Sequence, residues 1–199
     1  MLRIFTLLLL TFSSQSLASS WPVPKSIVMV SPDGGVIARL HSGSFPLDKP
    51  ESAQMSIFTW DEKSGYVLSE HYQLPYRFAP AKFAVNDNGF VITVGKYVAE
   101  ETGPDIGIFN PQGLQIQSYT LEQLFPNTTQ KQLLIAQSQK LTSEWQEHQQ
   151  NVPQWYCLSE PEVIMSNAFS VRHELGALLI YVDENPFESY LIESGCTSL

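Results

Sequence analysis

Short runs of β-forming residues separated by tight turns govern what this chain can fold into, and residues 85–119 show the pattern most completely. Asn86-Asp87-Asn88-Gly89 is a succession of residues that tolerate left-handed backbone angles, so it reverses the chain into the β-rich segment 90–95. A second turn, Asn110-Pro111-Gln112-Gly113, separates the apolar run Ile106-Gly107-Ile108-Phe109 from Leu114-Gln115-Ile116-Gln117, whose alternation marks a half-buried strand. With the long loop between them, these segments make up most of one antiparallel unit.

The same order stands upstream. Residues 26–30 and 36–40 read as strands around Ser31-Pro32-Asp33-Gly34-Gly35, where proline presets one turn angle and glycine supplies a positive φ. Residues 41–56 form a loop with Gly43, Pro46 and Pro50; a second hairpin follows, with strands 57–60 and 66–72 around Asp61-Glu62-Lys63-Ser64-Gly65. The phrase from Val30 to Ile37 matches that from Val85 to Ile92 at an offset of 55 residues, and Phe58-Thr59-Trp60-Asp61 matches Gly107-Ile108-Phe109-Asn110 at 49. A β period of roughly fifty residues is the usual mark of propeller blades or related stacked sheets.

One helical region follows. Thr120-Leu121-Glu122-Gln123 fits a capping box, and Pro126 ends that short helix. Asn127 or Thr128 then caps a second helix over about 130–139, which is expected to act as a lid on the sheet. Residues 143–154 are rich in Gln, with Trp145 expected to plug a sheet edge. Residues 162–168, 176–183 and 187–193 read as three closing strands, the middle one apolar throughout and therefore central.

The turn phrases SPDGG and NDNGF, followed by IFTWDEKSG and IGIFNPQG, resemble the blades of secreted β-propeller-like proteins of the WD-repeat-like class. With SYTLEQLFP and the later TSEW, the order is similar to that of small exported proteins with a partial propeller and no established activity, over most of residues 26–195. The resemblance implies a mainly β fold, antiparallel sheets in a partial propeller-like arrangement with a short helical insertion. Two or three blades cannot close a ring of four or more, so an open stack, or assembly with copies or partners, is implied as well.

Residues 1–18 have the form of a signal peptide: Arg3, an apolar run from Ile4 to Phe12 too short to span a membrane, and small residues at Ser16 and Ala18. The expected product is one β-rich domain over 19–199, periplasmic or secreted, with no membrane insertion after cleavage. Losing Arg3 takes the net charge from −9 to about −10. An acidic surface disfavours nucleic acid and anionic membranes, whose affinity comes from Lys and Arg. Cys157 and Cys196 are an even pair in an oxidising compartment, so a disulfide tying the C-terminal tail to the body is expected.

No catalytic, metal or cofactor motif stands out, and no cofactor is expected. The histidines His41, His71, His148 and His173 are scattered, without metal-ligand spacing. Asn86-Asp87-Asn88 and the acidic loop 100–105 offer oxygen ligands, yet neither completes a calcium loop. His41-Ser42-Gly43-Ser44-Phe45 lacks the nucleophile-elbow pattern. The expectation is therefore a non-enzymatic binding or interaction module, with a protein partner or self-association, engaging through a sheet edge or through loops 41–56 and 97–105. Trp60, Tyr66, Tyr72, Tyr76, Phe78 and Tyr97 lie in or beside those loops, at least half of them assigned to core. The alternative is an extracytoplasmic hydrolase using carboxylates such as Asp105 and Asp183.

Overall fold

A computed structural model describes residues 26–42, 52–76, 79–95, 103–141, 155–157, 159, 161–183, 188–190 and 196. The expected signal peptide, Phe78, Tyr97, Trp145, His148 and much of both long loops lie outside the described residues.

Over the described residues the fold is mainly β, in three four-stranded antiparallel sheets that follow one another along the chain. The first holds β1 (Ile27–Val30), β2 (Val36–His41), β3 (Gln54–Asp61) and β4 (Gly65–Gln73) in that order. The second holds β5 (Lys82–Val85), β6 (Val91–Val94), β7 (Ile106–Phe109) and β8 (Gln115–Tyr119). Two helices follow, α1 (Leu121–Leu124) and α2 (Thr128–Leu141). The third sheet holds β9 (Glu162–Met165), β10 (Ala168–His173), β11 (Gly176–Tyr181) and β12 (Glu188–Tyr190). Each sheet is a meander, because hairpins are the connections that the turn residues provide.

The turns form by side-chain capping. Asn86 Oδ1 accepts from the backbone N–H groups of Asn88 and Phe90, and Asn110 Oδ1 accepts from those of Gln112 and Leu114. In both turns the glycine two residues before the return strand, Gly89 or Gly113, has φ +79°, which a side chain would resist. Thr120 and Gln123 make the reciprocal capping box of α1, and Asn127 caps α2 by accepting from Thr129 N–H.

The closing region differs from expectation: it holds four strands rather than three. Ser166 and Asn167 turn the chain where one strand over 162–168 was expected, and the mixed segment Ala168–His173 becomes β10. A two-residue turn without glycine or proline leaves little trace in composition. β11, expected to be central, is an inner strand of its sheet.

The second sheet is buried on both faces, which explains its continuous apolar runs. Phe83, Val85, Val91 and Phe109 pack with Val36, Ala38, Leu40, Met55 and Ile57 of the first sheet. Ala84, Ile92, Val94, Ile106 and Ile108 pack with Phe169, Val171, Leu178 and Ile180 of the third, beneath α1 and Trp155. The backbones of neighbouring sheets come together at β1 and β2 against β5, and at β5 against β9. Cys157 and Cys196 are joined by a disulfide, and Cys157 N–H donates to Arg172 O beside β10. No helix among the described residues is long and apolar enough to cross a membrane.

Candidate functional site

The first sheet buries one face only. Its registers place Val30, Ile37, Phe58 and Leu68 side by side on the other face, one apolar residue from each strand. Residues opposite one another in an antiparallel sheet share a face, so this row continues across the whole width. Val30 and Leu68 are each 53% exposed, and Ile37 and Phe58 are half-buried between them. Beyond the row, Trp60 pairs with Tyr66; their rings meet edge to face at 5.1 Å, and Trp60 is 57% exposed. The Tyr66 hydroxyl donates to Gly34 O, which holds this aromatic pair against the β1–β2 turn.

On the other side of the row the chemistry changes. The next register carries Val28, Arg39, Ser56 and His71, and the one after it His41, Gln54 and Gln73. Ser56 Oγ lies 3.0 Å from His71 Nδ1, and Ser26 Oγ 2.8 Å from His41 Nδ1. Burial, then the charges of Arg39 and His71, hold the His41 pKa below its ordinary value. The three basic side chains are thus within electrostatic reach of one another. The carboxylate nearest in sequence, Glu70, pairs with Ile57 and so lies on the opposite face.

The face therefore runs from aromatic, through aliphatic, to basic, on a chain with twenty acidic and eleven basic residues. Interfaces are enriched in aromatic residues and arginine and depleted in acids at their centres, and this face has that composition. Of its two edge strands, β4 is guarded by a bulge opposite Ile57 and Phe58, at Ser69, whose hydroxyl donates to Ile57 O. Bulged edges resist strand addition, so at β4 the face rather than the edge is open.

The carboxylates singled out from sequence accept local hydrogen bonds, one from the backbone and one from a side chain. Asp105 Oδ2 accepts from Leu121 N–H at the start of α1, and Asp183 accepts from the Asn167 side-chain amide. Asp33 and Asp87 meet at the turns between the first two sheets; hydrogen bonds from Ser31 and from Gly35 N–H lower the Asp33 pKa. Among the described residues, no group of three or more His, Cys, Asp or Glu is placed to hold a metal ion. Of the aromatics considered, Trp60 and Tyr66 lie on the open face, Tyr76 is fully buried, and Tyr72 stacks on Phe109 between the first two sheets.

Sequence reasoning looked to loops and edges and missed Val28, Val30, Ile37, Phe58 and Leu68. A signal was present. Ile27-Val28-Met29-Val30 is apolar at every position, as a strand with two covered faces would be, while among the described residues this sheet has a neighbouring sheet on one side only. No protein family, curated protein or solved structure matches this chain.

Proposed function

We propose that the protein is an exported, non-enzymatic interaction module that docks a protein on the outer face of its first sheet. The observation that carries this reading is the row Val30, Ile37, Phe58 and Leu68, flanked by Trp60 and Tyr66, on a sheet whose other face is core. Large exposed apolar patches with polar rims mark interaction sites on soluble proteins. The signal-like residues 1–18 and the Cys157–Cys196 disulfide support export to an oxidising compartment. Three consecutive four-stranded meanders, in contact through β1 and β2 against β5 and through β5 against β9, support a partial propeller-like stack of the WD-repeat-like kind, left open at the first sheet.

The test is capture from the extracytoplasmic fraction with residues 19–199, beside light scattering on the purified protein. A stoichiometric protein retained by the wild type and lost by Leu68→Asp is the expected result. A wild-type monomer that retains nothing, or retention indifferent to Leu68→Asp and Val30→Asp, overturns the reading.

A further inference from the structure

Given that the outer face of the first sheet docks a protein, we propose that its partner is an acidic protein segment, one that sets a carboxylate on Arg39 beside apolar side chains lying along the Val30–Ile37–Phe58–Leu68 row. The argument begins with the uneven distribution of charge. Acids outnumber basic residues twenty to eleven over the chain, yet the registers of this face hold Arg39, His41 and His71 and no carboxylate. Arg39 is exposed and has no ion-pair partner among the described residues. The other arginine of sheet strands, Arg172, shows the ordinary arrangement, since it pairs with Glu162 at 3.2 Å.

Arg39, His41 and His71 stand together with no counter-ion among the described residues; burial is the main cause of the lowered His41 pKa, and repulsion from Arg39 and His71 adds to it. A carboxylate brought onto Arg39 relieves that repulsion. The planar guanidinium accepts a carboxylate with two parallel hydrogen bonds, which fixes orientation as well as sign. The apolar row beginning one register away supplies the contact area that a single ion pair on a wet surface lacks. A second copy of this chain meets the requirement poorly, because the same face on the copy presents the same basic cluster. Nucleic acid fits the apolar row no better, and the overall negative charge opposes it at long range.

Panning a random twelve-residue phage-displayed peptide library over the immobilised protein tests this. Enriched peptides are expected to combine Asp or Glu with aromatic or aliphatic residues. A synthetic peptide of the enriched sequence should then lose affinity about tenfold on Arg39→Glu, and less on Arg39→Lys. Binding should also weaken as salt rises from about 0.05 M to about 0.5 M. Leu68→Asp should abolish binding, with Val30→Asp as the second variant should the first fail to fold by circular dichroism.

Enrichment of basic or uncharged peptides, or acidic peptides indifferent to Arg39→Glu, overturns the acidic partner while leaving the docking face standing, provided Leu68→Asp still abolishes binding. Peptides indifferent to both substitutions overturn the docking face as well. A stable dimer by light scattering that Leu68→Asp converts to monomer assigns the face to a second copy and ends this proposal. No enrichment at all also counts against it.

Discussion

The side-chain amide of Asn86 donates to the backbone carbonyl of Ser166, joining the β5–β6 turn of the second sheet to the β9–β10 turn of the third. Asn88 reaches the same carbonyl at 3.2 Å, and on the other side Asp87 accepts from Asp33 N–H at 3.0 Å. The three sheets are therefore linked in series at equivalent turns, and Asn86 is fully buried. Its oxygen shapes its own turn and its nitrogen holds the next sheet. Asn86→Asp keeps the acceptor, loses the donor and buries a charge against a carbonyl. It should lower the unfolding free energy by about 2–4 kcal/mol in urea titration, and Asn86→Ala by a similar amount.

Gly113 shows how closely the first two sheets approach. A Cβ there would lie 2.3 Å from the Tyr72 ring, and the backbone φ is +79°. Gly113→Ala therefore meets both a clash and a strained backbone, and should destabilise by about 2–3 kcal/mol. Tyr72→Phe should instead leave stability unchanged or slightly raised, because the Tyr72 hydroxyl is buried without a hydrogen-bond partner. Thermal melts of the two variants against wild type separate these outcomes.

His173 predicts acid sensitivity. The imidazole is 2% exposed, its ring edge-on to Phe125 at 5.2 Å, with Nδ1 accepting from Leu175 N–H. Burial pushes its pKa from 6.5 down to about 4. On acidification the unfolded chain takes up this proton first. The contribution of neutral His173 is thus complete above about pH 6.5 and is lost as the pH falls toward 4, by up to about 3 kcal/mol. The difference in stability between wild type and His173→Phe, measured by urea titration from pH 7 to 4, should shift in the variant's favour across that window. A flat difference would mean that the imidazole is solvated.

The Cys157–Cys196 bond closes a loop of 39 residues. In the chain-entropy account this stabilises the fold by about 4 kcal/mol. Replacing both cysteines with serine should lower the melting temperature markedly, and reductant should do the same to wild type while leaving the variant unmoved.

Much of this architecture is legible along the chain. The turns at Asn86, Asn110 and Asp61 and the capping box at Thr120 follow from local rules: glycine where φ is positive, Asn or Asp where a side chain must cap a backbone turn, Thr and Gln at helical spacing. Local rules failed at Ser166-Asn167, where the turn is stabilised from outside by Asn86 and Asn88. They also assigned Asp105 and Asp183 to possible chemistry, whereas the fold gives them backbone and amide donors to satisfy.

The sequence by itself determined that the chain forms antiparallel sheets joined by hairpins, since hydrogen-bonding turns and strand periodicity act within a few residues. Which faces are covered was decided only by the tertiary structure. Val30, Ile37, Phe58 and Leu68 are 7, 21 and 10 residues apart along the chain, and only register brings them into one row. Burial depends on what stands opposite a face. The second sheet has neighbours on both sides and the first on one, so apolar strands of similar composition became core in one case and an open surface in the other.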